Sequence, residues 1–254
     1  MDEFVGKVAL ITGAGRGLGR EISMALSSLG VAVAANDINP INLDETVNLI
    51  LQAGGSARVY VFDIAKRMPI EGMVAQVLDQ FGRIDILVNH ASVEPDAFIL
   101  DMDEWEFHRT LDVNLGGPFF CMQQVGRAMR AHGGGAMVNI ASPIWKRKPH
   151  KRSAAHLASQ AGMLGLTRAA AQEFSPYKIR VNAVCTGEIE ESLFTSLEWN
   201  INTLHQWLGT FPGVGLGHHP ELVSLVLFLC SEAASSLTGQ VISLNLGNKG
   251  RYPE

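Results

Sequence analysis

The stretch from Lys7 to Gly19, KVALITGAGRGLG, decides the fold of this 254-residue chain. Its first half is a short apolar run, which is typical of a strand covered on both faces of a sheet. Its second half is a turn whose glycines, at 13, 17 and 19, allow a tight bend and a close approach of the backbone to a ligand. A helix predicted from Gly17 would direct free N–H groups and the positive end of its dipole at that ligand. The stretch therefore predicts a strand, a phosphate-binding turn and a helix, in that order.

The rest of the chain repeats the alternation of short apolar runs with helical patterns. This alternation predicts one α/β domain over residues 1–254, a Rossmann-type doubly wound parallel sheet of about seven strands with helices on both faces. The predicted strands are Val8–Thr12, Val31–Asn36, Ala57–Phe62, Ile84–Asn89, Ala136–Ala141, Arg180–Val184 and Val241–Leu246. The predicted helices are Gly17–Leu29, Leu43–Ala53, Ile70–Phe81, Glu104–Ala131, Ala154–Phe174 and Pro220–Ser231.

Composition excludes several classes of protein. The net charge of −5 gives no basic surface for nucleic acid. Cys121, Cys185 and Cys230 are scattered and form no CxxC, which favours a reducing compartment and neither a disulfide framework nor a metal site. The acidic start of the chain and the lack of a long apolar run argue against a signal peptide and a membrane span. We therefore expect a cytoplasmic protein that binds no metal, nucleic acid or membrane.

An acidic residue after the second strand indicates the kind of ligand. Asp37 lies 18 positions after Gly19. A carboxylate there accepts hydrogen bonds from ribose hydroxyls and repels a 2′-phosphate, which favours NAD over NADP. Two alternatives stay open: Asp37 is only a turn residue before Asn39, or Arg16 attracts the additional phosphate of NADP.

Together with several motifs farther along the chain, these residues resemble the short-chain dehydrogenase/reductase family, over essentially the whole chain. TGAGRGLG resembles its cofactor turn, VFDI its adenine contact and NHAS the element that closes the adenine pocket. Asn114 in LDVNLGGPF resembles the catalytic asparagine that holds a relay water, and Ser142 in VNIAS resembles the substrate-orienting serine. The resemblance implies that the dinucleotide is held by Thr12, Gly13, Gly15, Arg16, Gly17, Leu18, Gly19, Asp37, Asp63, Ile64, Asn89, Ala91 and Ile189.

The catalytic pair of that family is replaced in this chain. The family uses a tyrosine as proton donor and a lysine four residues later, on the same helix face, which lowers the tyrosine pKa. The matching positions here are His156 and Gln160, and no tyrosine of the chain has a lysine four residues on. The resemblance therefore implies impaired or absent catalysis.

The replacement is compatible with two functions. In the first, the chain is a structural or regulatory subunit of a dehydrogenase oligomer and does not catalyse alone. In the second, it is an active NAD-dependent secondary alcohol/ketone oxidoreductase, with His156 as acid/base, Ser142 orienting the substrate and Asn114 in the relay. Because imidazole is shorter than phenol, we expect the His156 nitrogen to lie farther from a substrate oxygen placed by Ser142.

Two segments between the recognisable elements bear on ligands and partners. The basic run Lys146, Arg147, Lys148, Lys151 and Arg152 holds five of the 20 lysines and arginines. It is either a solvated loop or a contact for an anionic ligand such as the phosphates of an acyl-CoA. Residues 188–217 resemble the family's substrate lid and carry Phe194, Trp199, Trp207 and Phe211.

The long helices Glu104–Ala131 and Ala154–Phe174 match those through which the family forms oligomers. The resemblance therefore implies a homo- or hetero-oligomer. Some family members pair an active chain with an inactive relative, as the hydroxybenzylsuccinyl-CoA dehydrogenases do. The replaced catalytic pair beside a CoA-compatible loop is similar to that arrangement, which makes a hydroxyacyl-CoA a candidate substrate.

Overall fold

A computed structural model describes residues 2–142, 153–186 and 219–244 of the chain. Its centre is one sheet of seven strands in the order β3-β2-β1-β4-β5-β6-β7, and every neighbouring pair is parallel. The strands are β1 (Val8–Thr12), β2 (Ala32–Asp37), β3 (Ala57–Val61), β4 (Ile86–Asn89), β5 (Gly135–Ala141), β6 (Ile179–Cys185) and β7 (Val241–Ser243). The predicted Rossmann-type fold class is thereby confirmed.

Helices connect the strands and cover both faces of the sheet. They are α1 (Gly17–Ser28), α2 (Pro40–Gln52), α3 (Arg67–Phe81), α4 (Glu104–Leu111), α5 (Gly117–His132), α6 (Ala154–Phe174) and α7 (His219–Cys230). Short 3₁₀ turns occur at Asp2–Phe4, Ser175–Tyr177 and Glu232–Ala234. Within the described ranges, no helix combines the length and the apolar character needed to cross a membrane.

One predicted helix is wrong. The sequence predicts a continuous helix over Glu104–Ala131, but a single turn of π-helix at Asp112–Gly116 separates α4 from α5. Pro118 lies just beyond this turn and has no N–H to donate to the carbonyl of Asn114, four residues earlier. The regular α-helical bonding is therefore broken beside Asn114, and π-turns of this kind are frequent at functional sites. Apolar periodicity does not reveal such a local change in helical pitch.

Side chains of β1 point alternately to the two faces of the sheet and pack into two separate apolar cores. Ala9 and Ile11 pack with α1, α2 and α7 on one face of the sheet. Val8 and Leu10 pack with α3, α5 and α6 on the other face. Full burial of a leucine or isoleucine side chain contributes roughly 1.5–3 kcal/mol, so a strand apolar on both faces anchors both layers.

The order of the strands predicts a ligand crevice at the carboxyl ends of the central strands. The chain leaves β1 toward β2 on one side, and β4 pairs with β1 on the other side. The connections leaving the carboxyl ends of β1 and β4 therefore diverge, and ligands of open α/β sheets bind in the crevice at such a point. Thr12, Asp37, Asn89 and Ser142 all lie at or directly after the carboxyl ends of their strands.

The close packing of the glycine turn yields a test of stability. A Cβ at Gly19 would overlap the carbonyl oxygen of Gly13 and lie 2.8 Å from Nδ1 of His90. We expect Gly19→Ala to lower the free energy of unfolding by about 1–3 kcal/mol, because backbone must move to make room. Urea denaturation measures the change.

The matched control is Gly165→Ala in α6, where a new Cβ meets open space. That variant should raise stability by roughly 0.5–1 kcal/mol, as alanine does in an exposed helix. If both variants changed stability in the same direction and by the same amount, packing around Gly19 would not be the cause.

Candidate active site

The turn between β1 and α1 is a compact cradle of backbone. Gly13 has a φ of +68°, in the left-handed region that favours glycine. A Cβ there would come within 2.9 Å of the backbone of Ala91. Within the described residues, no side chain caps the first turn of α1. The N–H groups of that turn are therefore available to a pyrophosphate, which fits the predicted roles of residues 12–19.

Asp37 lies directly beside this turn. Its Oδ2 accepts a hydrogen bond of 3.0 Å from the N–H of Gly15, and its Oδ1 accepts one of 3.0 Å from the N–H of Asn39. Asp37 thus bonds both to the glycine turn and to the loop that follows β2. Arg16, the alternative determinant, has an exposed side chain. The carboxylate of Asp37 therefore lies within a hydrogen bond of the glycine turn.

Thr12 joins the glycine turn to the loop after β4. Its Oγ1 accepts hydrogen bonds from the N–H groups of His90, at 3.1 Å, and Ala91, at 3.3 Å. The imidazole of His90 also approaches the glycine turn, with Nδ1 3.2 Å from the carbonyl oxygen of Gly13. The two loops that the resemblance assigned to the dinucleotide are therefore bonded to each other across the crevice.

A chain of buried amides links the sheet to α6. Asn89 Nδ2 donates to Asn139 Oδ1 at 2.8 Å, and Asn139 Nδ2 donates to Thr167 Oγ1 at 2.9 Å. All three side chains are fully or almost fully buried. Because unpaired buried amides are costly, this network holds α6 in one position against β4 and β5.

Asp63 has a partner that sequence reasoning missed. Its Oδ2 accepts a hydrogen bond of 2.7 Å from Arg109 NH1, and its Oδ1 accepts one of 2.9 Å from the N–H of Ala65. Burial alone would raise the pKa of Asp63, but the bonds from Arg109 and Ala65 more than offset it and the pKa is lowered. The carboxylate is therefore ionised at neutral pH and able to accept from an adenine amino group. Its neighbour Ile64 is buried against Gly117.

Asn114 is hydrogen-bonded to the backbone of the loop after β4. Its Oδ1 accepts from the N–H of Val93 at 2.8 Å, and its Nδ2 donates to the carbonyl oxygen of Val93 at 2.8 Å. The same Nδ2 lies 3.0 Å from Ser159 Oγ on α6. The side chain of Asn114 therefore has a positioning role, and it fixes Val93 against the helix that carries His156.

His156 and Ser142 are in direct contact. His156 Nε2 lies 3.2 Å from Ser142 Oγ, and Nδ1 lies 3.4 Å from the carbonyl oxygen of Val93. The imidazole is only 6% exposed. The imidazole of His156 therefore reaches the hydroxyl of Ser142.

Gln160, at the position of the family's lysine, is bonded to the backbone of Ser142. Its Oε1 accepts a hydrogen bond of 2.9 Å from the N–H of Ser142, and the side chain is buried. The four residues predicted to be catalytic are thus brought together at the end of β5. Predictions for Ile189, for residues 188–217 and for the basic run of 146–152 lie outside the described residues.

Comparison with known proteins identifies the family. A family model described as enoyl-(acyl carrier protein) reductase matches residues 13–249. A short-chain dehydrogenase/reductase of Armillaria gallica is 35% identical over 250 residues, which are 95% of each chain. The chain belongs to the short-chain dehydrogenase/reductase family. It is also similar to a 3-oxoacyl-(acyl-carrier-protein) reductase of Thermotoga maritima, at 35% identity over 95% of this chain and 97% of that protein.

Solved structures of family members agree with the architecture. A short-chain type dehydrogenase/reductase from Mycobacterium marinum matches with a TM-score of 0.89 and 32% identity over 98% of both chains. A xylitol dehydrogenase with bound NAD⁺ matches with a TM-score of 0.85 and 30% identity, covering 96% of this chain and 100% of that one. The chain is thus an oxidoreductase-family protein along its whole length.

The Asp63–Arg109 pair yields a prediction for the adenine end of this family site. Arg109→Met removes both a hydrogen bond and a positive charge from Asp63, so the pKa of Asp63 should rise. Carbon-detected NMR titration of the carboxyl group measures it. In the wild type, the pair stabilises the fold above the ordinary pKa of aspartate, and this contribution is lost as the pH falls through the lowered value.

Lys66→Met is the matched control. Lys66 acts on Asp63 only through its charge and is itself bonded to Asp112 at 2.6 Å. Its removal should shift the titration of Asp63 less than the removal of Arg109. Equal shifts in the two variants would contradict a specific role for the Arg109 hydrogen bond.

Proposed function

We propose that this chain is an NAD-dependent oxidoreductase that interconverts a secondary alcohol and a ketone, with His156 as the acid/base. The contact of His156 Nε2 with Ser142 Oγ carries the proposal, because both atoms can reach one substrate oxygen from adjacent positions. A general acid or base must lie about 2.6–3.2 Å from the atom it protonates. The replacement of tyrosine therefore does not by itself remove a proton donor.

The surroundings of His156 suit this role. With the proton on Nδ1 donated to the carbonyl oxygen of Val93, Nε2 presents its lone pair to the alcohol and accepts its proton in the direction of oxidation. In reduction, the imidazolium returns that proton to the carbonyl oxygen. Ser142 donates a hydrogen bond to the same oxygen and fixes its position. An imidazole can accept and return a proton without the help of a neighbouring lysine.

The cofactor site supports NAD. The glycine turn would hold the pyrophosphate, Asp37 the adenosine ribose, and Asp63 with Ile64 the adenine. The bound dinucleotide would supply the hydride acceptor or donor. The carboxylate of Asp37 beside Gly15 disfavours a 2′-phosphate, and the similar xylitol dehydrogenase structure holds NAD⁺. We therefore propose NAD over NADP.

A second candidate function has its own supporting observation. Gln160 contributes no positive charge at the lysine position, and its carboxamide oxygen is used by the N–H of Ser142. This favours a non-catalytic subunit of an oligomer, homomeric or paired with an active family member. In that case the purified chain binds NAD without turnover on secondary alcohols or hydroxyacyl-CoAs, and it co-purifies from its source with a chain that has an intact YxxxK.

Substitution of His156 tests the first proposal. His156→Phe should lower kcat for the oxidation of a panel of secondary alcohols by about 10²–10⁴-fold, because the proton acceptor is lost. The dissociation constant for NAD, measured by calorimetry, should change little, since His156 contacts Ser142 on the substrate side. His108→Phe, on the exposed surface of α4, is the control and should keep both values. A His156→Phe variant with undiminished kcat would exclude this mechanism.

Substitution of Asp37 tests the choice of cofactor. Asp37→Ser removes the charged acceptor for ribose hydroxyls, a loss of roughly 1.5–3 kcal/mol. NAD affinity should fall by about tenfold or more, and the preference for NAD over NADP should fall with it. Asp44→Ser, the same change on the exposed face of α2, should leave both affinities as they are. An unchanged cofactor preference in Asp37→Ser would show that residues other than Asp37 set the choice between NAD and NADP.

A further inference from the structure

The contacts of Ser142 and His156 also match a different chemistry. A hydroxyl is activated as a nucleophile when a base accepts its proton and a third group orients that base. Here Ser142 Oγ is 3.2 Å from His156 Nε2, and Nδ1 of the same ring is 3.4 Å from the carbonyl oxygen of Val93. The peptide carbonyl occupies the place that a carboxylate has in hydrolase triads.

The Nδ1 side of the ring faces two groups that are bonded to each other, the carbonyl oxygen of Val93 at 3.4 Å and Asn114 Nδ2 at 3.5 Å. Asn114 Nδ2 donates to the carbonyl oxygen of Val93 at 2.8 Å and to Ser159 Oγ at 3.0 Å. Val93 is therefore held in place relative to α6. The anchor on that helix, Ser159, lies three residues after His156. The carbonyl of Val93 can accept from Nδ1–H, which directs the free lone pair of Nε2 at the Ser142 hydroxyl.

The neutral residue at position 160 favours the same chemistry. A histidine that accepts a proton becomes a cation, and a lysine four residues along the same helix would oppose that charge. Gln160 carries no charge, and its Oε1 fixes the N–H of Ser142.

We propose that Ser142 is an acyl-accepting nucleophile and that the chain hydrolyses small activated esters and thioesters without a dinucleotide. Ser142 Oγ attacks the acyl carbon while its proton passes to His156 Nε2. The bond from the acyl carbon to the leaving oxygen or sulfur breaks, and the leaving group takes that proton. Water then attacks the acyl-serine, giving a carboxylic acid and the free hydroxyl. The reaction changes no oxidation state, so it needs no oxidant or reductant.

The cysteines of the chain do not compete for such substrates. Cys121, Cys185 and Cys230 are all buried. Burial raises the pKa of the Cys121 and Cys230 thiols to about 12, so neither is ionised at neutral pH. Ser142 is half-buried and lies at the carboxyl edge of the sheet.

A fluorophosphonate probe tests the proposal on the full chain without NAD. Attack by Ser142 Oγ forms an oxygen–phosphorus bond and expels fluoride, which leaves a stable adduct. Intact-mass spectrometry should show one adduct per chain, and peptide mapping should place it on Ser142. p-Nitrophenyl acetate, followed by release of nitrophenolate, reports the turnover of an ester.

Matched variants distinguish activation of Ser142 by His156 from the labelling of a serine that is merely exposed. His156→Gln keeps a polar contact to Ser142 but cannot take a proton, so the labelling rate should fall by about 10²–10⁴-fold. Ser142→Ala should abolish the adduct, and Ser28→Ala, on the exposed end of α1, should leave it unchanged. Unaltered melting temperatures would show that the variants fold.

Labelling of the wild type no faster than that of Ser142→Ala would overturn the proposal, and so would an undiminished rate in His156→Gln. The inference shares His156 with the proposed oxidoreductase but does not depend on it. Since the assay contains no dinucleotide, failure of NAD-dependent turnover and failure of probe labelling are separate results.

Discussion

The structure depends on the close approach of the glycine turn to the loop after β4. Thr12 Oγ1 accepts from two successive N–H groups of that loop, and Gly13 has no room for a Cβ against Ala91. This contact exists because β1 and β4 are neighbours at the point where the strand order reverses. A larger side chain in the turn would separate the two loops and open the floor of the crevice. The same contact therefore maintains both the fold and the shape of the glycine turn.

The substrate end of the crevice is held by a second set of contacts. Buried amides run from Asn89 through Asn139 to Thr167 and attach α6 to the sheet. Asn114 attaches the loop after β4 to the same helix through Ser159. The side-chain N–H groups of these asparagines find acceptors in the protein interior, where an unpaired amide is costly. Among the described residues, Asn89 Oδ1 is left without a partner. These contacts hold helix α6 beside β5, where the imidazole of His156 reaches Ser142.

His156 and Gln160 stand where the resemblance places the tyrosine and lysine of the family, and both side chains contact Ser142. Imidazole retains a hydrogen bond to Ser142, and the glutamine bonds to the backbone of the same serine. Gln160 carries no charge, so a proton accepted by His156 meets no repulsion from position 160. That proton comes either from the substrate's hydroxyl, in hydride transfer, or from that of Ser142 itself. The two proposals are alternative uses of one proton acceptor.

The sequence by itself determined the fold, because apolar runs buried on both faces and a glycine turn leading into a helix are local patterns. It also located Asp37, Ser142, His156 and Gln160, since their spacing matches the family's. Only the tertiary structure showed the π-turn at Asp112–Gly116 and the pairing of Asp63 with Arg109, which are 46 positions apart. It also showed that the imidazole of His156, although shorter than a phenol, reaches Ser142. Such contacts depend on how the connections of different strands meet in space, and no periodicity along the chain encodes that distance.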